Sequence, residues 1–407
     1  MRSMMQCKQN RTNTITIIVV VIFSILLALG TWNPFDANGL ENDAGGGLLQ
    51  IYTVLFVGYL FFTCSKRSLY DANNKNQNLT YFYITLFLVT FLLNINDVGF
   101  LDMLYFSKLF IAILLCILLP KLFISNEKYL YYSLVSYAIS CALIAILFYT
   151  GRLSDFVSVR HGRAFIFGEN PNNTSIKQVI GFIIILYYVV WNPMGVKKKR
   201  FLLLLLLLPM LGLIIANGSR GSFFILIVNL MILLVYNYKF NFVYKYAIMI
   251  STAIVIYASI FYIIKNNDEY LLFDRISNFV ESGDDGGRAL LNEYAFTIFC
   301  RSPIIGSGTV GFANQMLHLF NESRTVHNMY LYILATSGFV GSFFFTRFLY
   351  KLFRESYKVR KNNPLSIVLL ISILMLSYKT GGVLTYLLMW FVFGVIISIN
   401  HMSYEKK

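Results

Sequence analysis

Apolar runs long enough to cross a bilayer recur along the whole chain, and their length decides what it can fold into. A spanning helix needs about 20 apolar residues. Twelve stretches approach that length: 14–31, 47–64, 79–94, 102–120, 129–150, 174–191, 200–216, 219–237, 242–264, 327–347, 364–379 and 382–400. The region 200–237 is read as two spans, because its 38 residues are too long for one and break only at Ala216-Asn217-Gly218-Ser219-Arg220-Gly221. Inside lipid every backbone polar group needs an internal partner, which leaves helices as the spanning element. The expected fold is therefore all-α: a polytopic membrane protein of about 12 transmembrane helices, packed as one bundle over residues 1–407. Composition agrees, since 57% hydrophobic and 13% charged residues would leave a soluble fold too little polar surface.

Net charge is +15, and its distribution matters more than its size. Of the 34 Lys and Arg residues, 22 fall on the face that holds both termini, 11 fall on the other, and Lys108 lies within a span. That bias predicts cytoplasmic termini by the positive-inside rule, and it excludes a nucleic-acid-binding face. The apolar run after Arg2, Lys8 and Arg11 lacks a small-residue cleavage signal, so it reads as a retained span. Five cysteines without a CxxC pair suggest neither a metal site nor a disulfide framework. No Walker loop, HExxH or GxSxG is present, so nucleotide and zinc hydrolysis have no support.

Against this background the 11 bases on the far face stand out, because 8 of them are arginines: Arg152, Arg160, Arg163, Arg220, Arg275, Arg288, Arg301 and Arg324. A guanidinium presents a permanent, planar fork of donors suited to phosphate oxygens. Most of them sit in two long loops, 151–173 and 265–326, the second lying between spans nine and ten. Connections of that length usually carry function or disorder. Within the second, Leu290-Leu291, Tyr294-Ala295 and Ile298-Phe299 predict an amphipathic helix lying on the surface, followed by a turn region at Pro303, Gly306, Gly308 and Gly311.

Arg220 is on a hairpin so tight that its side chain must lie near the bilayer edge, where an unpaired charge is costly. Phosphate is a natural partner, and the following helix adds backbone donors at its N-terminus. His327 precedes an apolar helix whose dipole disfavours imidazolium, which leaves a neutral ring able to accept a proton, with Asn328 placed to orient it. His161 and His318 read as incidental surface residues.

Three segments resemble the O-antigen ligase and O-antigen polymerase superfamily. Ser219-Arg220-Gly221-Ser222 is similar to its SRG element, and Arg288 with Pro303-Ile304-Ile305-Gly306-Ser307-Gly308 to its R…PLIGxG stretch. His327-Asn328-Met329-Tyr330-Leu331 with Ser337-Gly338-Phe339-Val340-Gly341 is similar to its HNxYL…GxxG block. Arg163 and Phe167-Gly168-Glu169-Asn170-Pro171-Asn172 look like a looser R…FGNPN segment that Glu169 interrupts. Tyr294 departs from the pattern, standing where many relatives have tryptophan.

The resemblance implies a GT-C-like fold and metal-free, cofactor-free glycosyl transfer at the outer face of a bacterial cytoplasmic membrane, from an undecaprenyl-diphosphate-linked oligosaccharide. Arg220 and Arg288 would bind the donor diphosphate and His327 would act as general base. Arg160, Arg163, Arg301, Arg324 and Asn328 are further substrate-binding candidates, and a chain-length regulator is a candidate partner. The expected activity is a polysaccharide polymerase, with a ligase to a lipid or protein acceptor as the alternative. A flippase of the same lipid is the reading from another class. Against it, the arginines cluster on one face, whereas alternating access needs a site at the midplane.

Overall fold

The computed structural model describes residues 2–32, 47–63, 76–160, 163–190, 203–236, 287–380 and 384–405. Among them are thirteen helices: α1 (Arg2–Leu29), α2 (Gly47–Thr63), α3 (Gln77–Leu93), α4 (Phe100–Ser125), α5 (Glu127–Tyr149), α6 (Pro171–Val190), α7 (Leu207–Ala216), α8 (Arg220–Tyr236), α9 (Arg288–Arg301), α10 (Gly308–Phe320), α11 (Met329–Val359), α12 (Leu365–Thr380) and α13 (Leu387–Glu405). The chain is an all-α polytopic membrane protein. Four helices, α4, α5, α11 and α13, are long and apolar enough to cross a membrane, and six shorter apolar ones accompany them. The ninth expected span, 242–264, and the 265–286 part of the long loop lie outside the described residues.

The chain divides into two compact units, Met1–Tyr59 with Leu122–Val280 and Leu60–Lys121 with Glu281–Lys407. In the first, α5 and α6 pack together and hold α7 between them, while α1 lies along α5 and α8 along α6. The α1–α5 seam is closed by a buried pair of hydroxyls, Ser24 and Ser133, 2.8 Å apart. Phe23 stacks on Phe56 of α2 with ring centroids 4.5 Å apart. The 151–173 loop carries structure of its own, an antiparallel hairpin of β1 (Val157–Arg160) and β2 (Arg163–Ile166). Its strands alternate in side-chain direction, and Ala164 and Ile166 turn inward, so β2 rests on α6.

In the second unit α11 is the axis, with α3, α9, α10, α12 and α13 packed around it. Phe345 meets Phe82 of α3 at 5.0 Å, and Phe348 meets Phe393 of α13 at 5.4 Å. A buried polar knot ties its far end to α12 and α13: the Ser366 hydroxyl donates to Asn400 Oδ1 at 2.5 Å, the Ser356 and Ser366 hydroxyls share a hydrogen bond of 2.8 Å, and Asn400 Nδ2 donates to Ser356 at 3.1 Å. In the described part of the long loop the chain forms the helix α9, which buries Leu291, Ala295, Ile298 and Phe299. What reads as a glycine-rich turn region is partly helical, because α10 begins at Gly308 directly after the turn.

Candidate functional site

In the first unit the hairpin between α7 and α8 presents Arg220. Asn217 closes the end of α7, its N–H bonding to Leu213 O at 3.0 Å. The chain then turns through Gly218, whose φ of +61° is open to glycine at little cost, and α8 starts at Arg220. Ser219 and Ser222 share a hydrogen bond of 3.0 Å across the first turn. Arg220, half-buried, is therefore held on a short, internally bonded corner.

Arg163, on β2, braces that corner. Its Nε donates to the Asn217 carbonyl at 3.0 Å and its Nη2 to Asn172 Oδ1 at 2.8 Å. Asn172 is itself fixed by an Asx turn, its N–H reaching Asn170 Oδ1 at 2.9 Å. The first role the geometry gives Arg163 is thus to hold the backbone that carries Arg220. The side chain of Arg160 and all of His161 lie outside the described residues.

Glu169, the residue that interrupts the FGNPN-like segment, pairs with Lys177 of α6 at 2.6 Å, both side chains almost fully buried. Burial pushes the Glu169 carboxyl up, and the Lys177 ammonium opposes that. Gly30 makes room for the pair, since a Cβ there would run into Lys177 Nζ. Asn217 is the residue that pattern reading missed. It is fully buried, and neither atom of its side-chain amide has a hydrogen-bond partner among the described residues. Its only sequence signal is an amide at a break between two apolar runs.

The second unit carries His327. Asn321, at φ +50°, ends α10 and starts the segment leading to α11. Val326 and Asn328 are buried on either side of His327, which is itself half-buried. Asn328 is the N-cap of α11: its Oδ1 accepts from the N–H groups of Tyr330 at 3.0 Å and Leu331 at 3.3 Å. His327 therefore precedes the cap. Its pKa is lowered first by burial, then by the nearby guanidiniums of Arg288 and Arg324, so the ring is neutral at neutral pH. Arg324 is exposed and forks onto Glu322, with Nε to Oε1 at 3.0 Å and Nη2 to Oε2 at 2.6 Å. That pairing holds the Glu322 carboxyl down at about 2. Arg288 opens α9 half-buried, directly after a left-handed Gly287. Arg301 and His318 are exposed at the last turns of α9 and α10.

A backbone interlock sets α9 and α10 against α11. Inside α11, Gly338 adopts φ +60°, ψ −162°, a conformation essentially confined to glycine, and the helix breaks there. The groups this frees are taken up by the Pro303–Ser307 turn. Phe339 N donates to Pro303 O at 2.8 Å and Val340 N to Ile304 O at 3.1 Å, while Ser307 N donates to Ala335 O at 2.9 Å. The start of α10 is bonded to α3 in the same way, Thr309 N to Thr90 Oγ1 at 3.0 Å and Asn94 Nδ2 to Ser307 O at 3.0 Å. The structure thus brings Arg288, Arg324 and His327 together in this unit, while Arg163 and Arg220 belong to the other.

Residues 203–346 match the model of the family described as O-antigen ligase, a span that includes Asn217, Arg220, Arg288, Arg301, Arg324, His327 and Asn328. No curated protein matches the chain.

Proposed function

We propose that this chain, a member of the O-antigen ligase and polymerase superfamily, is a polysaccharide polymerase that transfers a growing undecaprenyl-diphosphate-linked glycan onto the next lipid-linked repeat unit. The observation that carries the reading is His327: a half-buried imidazole kept neutral by its surroundings, next to cations suited to an anionic substrate. A hydroxyl of the acceptor sugar attacks the anomeric carbon and passes its proton to His327. The bond from that carbon to the diphosphate oxygen breaks, and the electron pair leaves with the lipid diphosphate. Direct displacement inverts the anomeric centre. Arg220 and Arg288 are assigned to the diphosphate, where fixed positive charge offsets the charge that develops on departure. General-base help of this kind is worth about 100- to 10,000-fold.

Arg324, already forked onto Glu322, contributes its charge to the surroundings of His327 rather than a free fork to phosphate. The reading sets the site on the extracytoplasmic side of a bacterial cytoplasmic membrane, with both termini inside, in line with the distribution of basic residues.

The matched family's description makes a ligase the second reading. Deleting the gene separates the two. Short, lipid-attached single repeats in the mutant support the polymerase, whereas long chains left on the undecaprenyl carrier support the ligase.

A further inference from the structure

The end of α11 remote from His327 carries a second charged feature, which glycosyl transfer does not use. Arg347, Lys351, Arg354 and Lys358 recur at intervals of four, three and four residues, so they share one face of the helix. That face forms a cleft of about 710 Å³ with the N-terminal turn of α3 and with Tyr404 of α13. Gln77 and Asn78 line it at the start of α3. The N-terminal turn of a helix carries backbone N–H groups without intrahelical partners and a partial positive charge. Glu355 is the one carboxylate among the lining residues, and Arg347, Arg354 and Lys358 form no ion pair among the described residues.

Aromatic side chains complete the cleft. Tyr81 and Phe344 meet at 5.3 Å, and Tyr350 joins them among the lining residues. Four cations, a helix N-terminus and an aromatic wall, at the end of a helix long and apolar enough to cross a membrane, make a site with one polyanionic half and one apolar half. An anionic phospholipid has the matching shape: a phosphate headgroup for the guanidiniums and acyl chains for the rings. We infer that this cleft is a binding site for the phosphate headgroup of an anionic membrane lipid, held by Arg347, Lys351, Arg354 and Lys358. The inference is independent of the activity proposed for the opposite end of α11.

Native mass spectrometry of the full-length protein tests it, after release from nanodiscs that contain phosphatidylglycerol or cardiolipin mixed with phosphatidylcholine. Wild type is expected to retain anionic lipid at least about tenfold over its zwitterionic competitor. Each of Arg347→Gln, Arg354→Gln and Lys358→Gln is expected to weaken retention about fivefold, the scale of one cation at a charged membrane surface. Arg354→Lys should keep most of it, which guards against a variant that merely misfolds. Lys121→Gln and Lys128→Gln report on general surface charge. If they reduce retention as much as the cleft variants do, the site is overturned. Inorganic phosphate or pyrophosphate binding with equal strength would point to a soluble anion and overturn the lipid assignment, and wild type without lipid preference would overturn it outright.

Discussion

Gly306 and Gly338 face each other so closely that neither position has room for a side chain: a Cβ on Gly306 would lie 2.5 Å from Ser337 N, and a Cβ on Gly338 would lie 2.5 Å from Gly306 N. Both have φ in the left-handed region. Alanine at either position meets backbone, which cannot swing aside as a flexible side chain would. The expected cost is about 2–6 kcal/mol, from strain of about 1–3 kcal/mol and overpacking of similar size. Thermal unfolding in detergent checks this, with Gly58→Ala as the control. A Cβ at Gly58 meets nothing within 4 Å, and inside a helix that change should be neutral or slightly stabilising.

Arg163 and Asn172 act on the Arg220 hairpin as one unit, so their losses should not add. Arg163→Ala removes two hydrogen bonds and frees the Asn217 carbonyl, whereas Asn172→Ala removes one of the two. Each is expected to lower turnover with a smaller change in protein stability. The double variant should resemble Arg163→Ala alone, with a coupling energy of about 0.5–3 kcal/mol. Turnover measured on all four proteins provides the cycle, and strict additivity would show that Asn172 does not act through Arg163.

The Glu169–Lys177 pair predicts asymmetric behaviour. Lys177→Met leaves a buried carboxylate without its cation and is expected to cost about 3–5 kcal/mol, while Lys177→Met combined with Glu169→Leu should recover most of that. Because burial raises the Glu169 pKa, the single variant should also regain stability as the pH falls and the carboxyl is protonated. Denaturation midpoints of both variants between about pH 5 and pH 8 test the sign.

Activity should follow the deprotonated form of His327. Its pKa lies below the ordinary value of 6.5, so the acid limb of kcat/KM is expected below that pH, with full activity above it. Arg288→Gln removes a cation that disfavours the imidazolium, so it should move the limb upward toward 6.5 in the residual activity. The pH dependence of His327 modification by diethyl pyrocarbonate gives the same pKa without relying on turnover.

How much of this was legible in the sequence depends on how far apart the interacting residues stand. The apolar runs mark the helices because each reports its own burial, and the hairpin at Gly218 shows as a break between two of them. His327 and Arg288 are visible as polar groups where apolar pattern begins. By contrast, one partner of Arg163 is a carbonyl 54 residues away, and a carbonyl has no sequence signature. The Pro303–Ser307 turn likewise needs a helix break more than thirty residues downstream, and glycine alone does not say what will approach it. Asn328, read as a residue to orient His327, has its Oδ1 engaged as a helix cap. The β-hairpin was hidden because four-residue strands with a single inward pair are too short to show a period.

The central claim is that His327 takes the proton in glycosyl transfer. The direct test is single-turnover transfer by purified, reconstituted protein given synthetic lipid-linked repeat units, comparing wild type with His327→Ala and His327→Gln. The account predicts that both variants remain folded and lose about 100- to 10,000-fold in rate, and that the wild-type product is inverted at the new linkage. Wild-type rates in His327→Ala, or a product with retained configuration, would contradict it.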